Sequence, residues 1–358
     1  MRRIRWTRGR ILLAALAALA IAVALDYALY PRLATVRAGK SWHVPPAAIW
    51  LRYWWFTGDR PIEELEAELE RLSDLGIGDH YFCVGQIGPD GRLERGHPDS
   101  AREIGALWER QWGSPEPEWR IDPIAWIIVL NERAGGEVDI ADPAVRANMV
   151  EEAVWLVEEA GFRGVQWDWE FAPGATDDLI ALLRESRETL PFGTTISVTT
   201  PPWLPWPLGR WGWSEDDFRR IGAECDEICV MCYDTGMVLP RACVWLVRQQ
   251  VIRVALALSE AEGHCRFRVG VPTYGDEGSL ASHHAHAENL RMALKGLREG
   301  EEILWAHWWW PHPRSQAARM AGRPAWFGHF QGPAIFANWT TDEADWRTWE
   351  ELWADAEQ

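Results

Sequence analysis

Positive charge is in short supply in this sequence. Its 36 lysines and arginines stand against 53 aspartates and glutamates, a formal balance of −17 at pH 7. Binding a phosphate backbone needs a basic face, so nucleic acid is excluded as an expected partner. An anionic polysaccharide is disfavoured for the same reason, and a neutral or cationic ligand fits better. Cysteine is also sparse: six residues at irregular spacing do not make a disulfide framework. Cys225, Cys229 and Cys232 form a C-x3-C-x2-C spacing that can hold three irons of a four-iron cluster. Yet "EICVMCY" is a β-branched, apolar run that reads as a strand, which sends Cys229 and Cys232 to opposite faces and away from a shared cluster.

Arginine is concentrated where the apolar residues begin. Arg2, Arg3, Arg5, Arg8 and Arg10 precede an uninterrupted run, Ile11 to Leu25, as a charged n-region precedes an h-region. Ala22-Val23-Ala24 is a candidate cleavage site. The run also extends to Tyr30 across Asp26, close to the ~20 residues that span a bilayer. Residues 1–30 therefore read as a signal peptide or a membrane anchor, with the length favouring the anchor. Either way the main body is expected outside the cytoplasm, secreted or membrane-anchored. Residues 31–47, with Pro31, Pro45 and Pro46, read as a linker, and 48–356 as one domain.

That domain alternates. Strand-like runs are expected at 48–56, 80–86, 124–130, 164–171, 194–200, 226–233, 266–275 and 332–339. Helices are expected between them: 61–76, about 100–110, from Asp142-Pro143 to Gly161, 176–189, a short one capped by Ser214, 241–257, 284–298, and a last one capped by Asp342. Eight βα units over this length mean a (β/α)8 TIM barrel. Residues 299–331 fit no unit and read as an insertion.

The fourth run, "GVQWDWEF", puts two acids among tryptophans. Side chains alternate along a strand. Gln166, Asp168 and Glu170 thus share the face that points into the barrel, and Val165, Trp167 and Trp169 take the helix-facing side. Active sites of such barrels lie at the C-terminal ends of the strands, where Glu170 stands. Burial and a second carboxylate both raise a carboxyl pKa, which suits Glu170 to a general acid. The other reading of these acids is a structural ion pair with a basic residue across the barrel.

"GFRGVQWDWEF" resembles the fourth-strand signature D-x-x-D-x-D-x-E of family 18 glycoside hydrolases, the chitinases and endo-β-N-acetylglucosaminidases. The pattern falls on Arg163, Gln166, Asp168 and Glu170, and the last two match. "VMCYD" resembles the family's sixth-strand M-x-Y-D, giving Met231, Tyr233 and Asp234. "FANW" is similar to the eighth-strand end and "VGVPTYG" to the seventh strand. The resemblance implies that the enzyme supplies no nucleophile and that the sugar's own 2-acetamido oxygen attacks the anomeric carbon, an exception to the two-carboxylate rule. It implies Glu170 as acid and then base, and Asp168 as orienter of the acetamido N–H. Tyr233 would be the hydrogen-bond partner of the acetamido carbonyl, with Asp234 and Met231 beside it. Trp339 would be the floor under the sugar. No cofactor and no metal is implied.

Gln166 departs from the pattern: it can hydrogen-bond Asp168 but cannot hold the charge an acid would. Arg163 departs at the strand's start, far from the mouth. Tyr53 and Trp203 are further candidates for stacking on sugar, Trp203 and Trp206 lying in the tryptophan- and proline-rich loop after the fifth strand. His283, His284 and His286 are expected to be solvated at a helix start rather than to bind metal. Two alternatives stand beside the hydrolase: a non-catalytic carbohydrate-binding barrel, and a two-carboxylate retaining glycosidase pairing Glu170 with an acid such as Glu277.

Overall fold

A computed structural model describes residues 8–33, 46–94, 98–112, 122–132, 135–170, 174, 176–205, 212–261, 263–275, 283–308 and 328–354. Eight parallel strands close in sequence order: β1 (Ala47–Leu51), β2 (Ile77–Gln86), β3 (Pro123–Leu130), β4 (Gly164–Glu170), β5 (Thr195–Thr200), β6 (Glu227–Met231), β7 (Arg266–Pro272) and β8 (Phe330–Phe336). Pairing of Ala48 with Ala334 and Ile49 with Ile335 shuts the barrel. Around it run α2 (Ile62–Asp74), α3 (Pro98–Trp112), α4 (Pro143–Glu158), α5 (Asp177–Thr189), α6 (Glu215–Gly222), α7 (Pro240–Leu258), α8 (Leu290–Trp308) and α9 (Glu343–Trp349), after an N-terminal α1 (Arg8–Leu33).

The local chemistry explains the boundaries. Asp142 accepts from the Ala144 N–H, and Pro143 takes the first turn of α4, where its missing donor costs nothing. Ser214 with Asp217 and Asp342 with Asp345 form reciprocal capping boxes that start α6 and α9. Leu65, Leu69 and Leu72 line one stripe of α2 and are buried; each such side chain contributes about 1.5–3 kcal/mol.

Two apolar layers result. The outer one, between sheet and helices, takes Val165, Trp167 and Trp169 of β4. The inner one, inside the barrel, takes Trp50, Tyr81, Cys83, Trp126 and Cys229. Cys229 thus faces inward, while Cys232 packs in the outer layer, the split expected from strand geometry.

Several boundaries differ from expectation. β1 ends at Leu51, and Tyr53 to Phe56 form turns instead of continuing the strand. The helix expected over 284–298 runs from Leu290 to Trp308, so the segment read as an insertion from 299 begins as its continuation; residues 309–327 lie outside the described residues. Both ends of the stretch read as a linker belong to elements, since α1 runs through Pro31 to Leu33 and β1 starts at Ala47. Within α1, Ile11–Arg32 is a 22-residue stretch of mean hydropathy 2.3 with nothing buried, long and apolar enough to cross a membrane. Its far end touches the barrel: Asp26 pairs with Arg241 of α7 at 2.5 Å.

Candidate active site

β4 carries Gln166 and Asp168 into the barrel, both buried. The register lays Asp168 beside Ile128 of β3 and Thr199 of β5, one layer above Gln166, Trp126 and Ser197. Asp168 is held by two neutral donors. Trp126 Nε1 donates to its Oδ2 at 2.6 Å, and the Thr199 hydroxyl donates to its Oδ1. Thr199 Oγ1 in turn accepts from the Trp169 N–H at 3.1 Å, which fixes the hydroxyl. Burial pushes the Asp168 carboxyl up to about 6, and the two donors hold it from rising further.

Gln166 does not bond Asp168, against expectation. Its carbonyl accepts from Trp50 Nε1 at 2.8 Å, and its amide donates to Ser197 Oγ at 3.0 Å. Ser197 then donates to Glu227 at 3.1 Å, and Tyr81 donates to the same oxygen at 2.7 Å. Arg266 and Arg268 reach the other oxygen of Glu227, and Arg268 also pairs with buried Asp79. The structural ion pair considered for β4 therefore belongs to β2, β6 and β7, at the N-terminal end of the barrel. Asp168 has no part in it because it is bonded by Thr199 beside it and by Trp126, which reaches up from the layer of Gln166.

Phe336, ending β8, gathers the remaining candidates. The Tyr233 ring stacks on it at 4.7 Å, and Trp339 and Trp126 meet it edge-on at 5.6 and 6.3 Å. Trp126 and Trp339 lie parallel, 6.5 Å apart. Asp168, Tyr233 and Trp339 thus converge through Trp126 and Phe336. Gly270 of β7 makes room for Tyr233: a Cβ there would stand 2.8 Å from the tyrosine ring. Met231 ends β6, half-buried, beside Gly270.

Asp234 adopts φ 52°, a left-handed conformation that a non-glycine residue holds only where its surroundings demand it. Burial raises its carboxyl, while the Tyr274 hydroxyl and His283 lower it. His283 is buried, with Nε2 on the Tyr274 carbonyl at 3.1 Å and Nδ1 facing Asp234 at 3.6 Å and Glu288 at 3.4 Å. Glu288 is tied to Thr235 through its N–H at 2.8 Å and its hydroxyl. His283 is therefore not solvated; it packs under the loop that carries Asp234. His286 is exposed and meets the Tyr27 carbonyl.

Trp203 is a correction. The residue is only 8% exposed; its ring packs on Trp245 of α7 and lies under Arg253, while its backbone is bonded to Gln250. A ring so covered holds the loop to the barrel and offers no face to a sugar. Tyr53 is 46% exposed in the turn after β1. Arg163 lies away from these groups, paired with Glu109 at 2.6 Å over the Trp108 ring. Glu170 closes β4 opposite Leu130, and its side chain lies outside the described residues, as do Trp206 and Glu277. The sequence alone did not single out Trp126, Thr199, Tyr274, His283 or Glu288 as supports of the site. Inward positions on β3 and β5 were the available signal for the first two.

Known proteins resemble this chain in sequence and in fold. No family model matches the chain. Over 234 residues, 58% of the chain, it is 26% identical to "Putative sporulation-specific glycosylase YdhD" of Bacillus subtilis (strain 168). The chain spans about half the length of that relative. Among solved structures it resembles the Bacillus cereus spore cortex-lytic enzyme SleL, with a TM-score of 0.54 over 87% of this chain and 74% of that one, at 14% identity. It also resembles the Ostrinia furnacalis Group IV chitinase, with a TM-score of 0.52 over 86% of this chain and 99% of that one, at 14% identity. The barrel is chitinase-like in its fold. In this chitinase-like barrel the aromatic cluster around Phe336 stands at the C-terminal mouth, where barrels carry their chemistry.

Proposed function

We propose that the chain is an extracytoplasmic glycoside hydrolase that cleaves N-acetylglucosamine-containing glycans with the substrate's own acetamido group as nucleophile. The observation that carries the reading is Asp168: a buried carboxyl at the mouth, held by Trp126 and Thr199 with no ion-pair partner among the described residues, two residues before Glu170 on one strand. The fold shared with a chitinase and a cortex-lytic enzyme supports it, as does the match to a glycosylase. The five arginines before the apolar stretch Ile11–Arg32 support export or anchoring.

The chemistry follows from the layers. Two strand residues rise ~6.6 Å, so Asp168 lies deeper than Glu170. In that position it suits a sugar 2-substituent better than the anomeric carbon. Glu170 protonates the leaving oxygen; the acetamido oxygen closes on the anomeric carbon; Asp168 accepts the acetamido N–H and balances the positive ring; Glu170 then activates water. Tyr233 binds the acetamido carbonyl, and Trp339 offers an apolar face to the sugar. Aryl glycosides of N-acetylglucosamine oligomers are therefore expected to be cleaved, and the matching 2-hydroxyl glucosides to be inert. A thiazoline that mimics the cyclic intermediate should inhibit. Asp168→Ala should impair cleavage while Glu277→Ala leaves it nearly unchanged. Cleavage of the 2-hydroxyl glucoside, lost on Glu277→Ala, would replace this reading with a two-carboxylate mechanism. Tight binding of the oligomer without any turnover would replace it with a sugar-binding barrel.

The pH dependence is also specified. Asp168 must be ionised to accept the acetamido N–H, and burial holds its carboxyl up to about 6. Above that pH the working form dominates; below it the carboxyl is protonated. The acid limb of kcat/KM should therefore fall about tenfold per pH unit below a pKa near 6. Thr199→Val removes a donor that favours the charged form and should move that limb upward. A profile that stays flat down to about pH 4.5 would remove Asp168 from this role.

A further inference from the structure

Arg52 follows β1 directly and is half-buried at the mouth. Its guanidinium lies among three rings, 5.5 Å from Tyr53, 5.1 Å from Trp54 and 5.8 Å from Trp339. Among the described residues no carboxylate comes within ion-pair distance of it. That is unusual in a chain with 53 acids, where other half-buried arginines find one: Arg266 with Glu227, Arg248 with Glu299. Arg52 also sits close to the site. A short aromatic path, Arg52 to Trp339 to Trp126, ends at the Asp168 carboxyl.

We infer that Arg52 recognises a carboxylate carried by the glycan, so that the preferred substrate is an N-acetylated strand bearing acidic sugar substituents. The inference rests on the glycosidase reading above. Ring contacts take up none of the guanidinium's five N–H donors, and its planar fork matches a planar carboxylate in two hydrogen bonds. Trp339 is the expected floor of the sugar, so an acid reaching Arg52 would hang from that sugar or its neighbour. This reverses the expectation, drawn from the net charge of −17, that an anionic polysaccharide is disfavoured. Charges beyond about 8 Å are screened at physiological salt, and the contact is decided by the cation in place.

The test compares four strands with the full-length protein in detergent: a neutral N-acetylglucosamine oligomer, alternating N-acetylglucosamine and N-acetylmuramic acid, the methyl ester of that strand, and alternating N-acetylglucosamine and glucuronic acid. Wild type should favour an acidic strand over its neutral counterpart by about tenfold or more in kcat/KM, as expected of a charge-assisted hydrogen bond. The two acidic strands tell a lactyl ether from a uronic acid as the source of the carboxylate. Arg52→Gln should remove most of that preference, and Arg52→Lys should keep part of it as a point charge. An equal fall on acidic and esterified strands in Arg52→Gln, with the ratio unchanged, would overturn the inference and assign Arg52 to the general machinery. A wild-type preference for the ester would overturn it as well. Calorimetric binding to Glu170→Gln separates the two readings: a carboxylate preference in binding without wild-type turnover of any strand sustains Arg52 and sinks the hydrolase, whereas turnover with no preference does the reverse.

Discussion

Glu170→Gln is expected to lower turnover of an N-acetylglucosamine oligomer by at least about 10²-fold, and up to 10⁴-fold, the range typical of a general acid–base group. The substitution keeps size and hydrogen-bonding capacity and removes only the proton. β4 should be undisturbed, because its register with β3 and β5 is set by backbone bonds and by Val165, Trp167 and Trp169 in the outer layer. Folding, read by circular dichroism and the thermal midpoint, should thus be unchanged. The loss should fall on kcat more than on KM, since protonation of the leaving oxygen belongs to the transition state. An activated aryl leaving group needs less help and should suffer less. Retention of wild-type turnover on an unactivated oligomer would end the assignment of Glu170.

Arg268→Met should be the most damaging change to stability, about 3–5 kcal/mol, as when one partner of a buried ion pair is removed. Arg268 is 2% exposed. It bonds Glu227 at 3.3 Å, Asp79, the Pro46 carbonyl at 2.8 Å and the Gln331 carbonyl at 2.6 Å. Methionine fills the stem's volume and removes this one donor from all four partners. Glu227 retains Arg266 and Tyr81, so Asp79 is the group left stranded. Burial already raises the Asp79 carboxyl, and Arg268 is the main influence holding it down. Without Arg268 its folded pKa climbs further above the unfolded value. The protonated, tolerated form then prevails at low pH, and the penalty grows as pH rises. Urea unfolding should accordingly show a larger deficit at about pH 8 than at about pH 5, with an unchanged m-value. Asp79→Asn in the same chain should recover part of the loss. A variant as stable as wild type at both values would mean that the network carries no net stability.

That network also explains what Gln166 does. At the matching place the family pattern has an acid. Here a carboxylate on Gln166 would meet Ser197 and then Glu227, a second buried anion, with Trp50 as its one further donor. A neutral amide that accepts from Trp50 and donates to Ser197 fits both neighbours. Asp168 is consequently served by Thr199 beside it and by Trp126 of the layer below, and not by Gln166.

The sequence by itself determined the architecture. The alternation of apolar runs with capped amphipathic segments is a local signal, and eight repeats of it admit few folds besides the closed barrel. The inward face of β4 was legible for the same reason: a strand's period of two leaves Gln166 and Asp168 no other side once Trp167 and Trp169 take the outer layer. Only the tertiary structure decided who meets whom across the barrel. Trp50 and Gln166 are 116 residues apart, and Tyr81 and Glu227 are 146 apart. No periodicity links such pairs, because strand stagger and side-chain length select them after closure. The same holds for Trp203, where composition allowed either a sugar platform or packing and contact with α7 decided for packing. It holds for His283 too, which reads as a solvated histidine along the chain. It is buried because the loop folds back over Asp234 and Glu288, a juxtaposition that only the closed barrel creates.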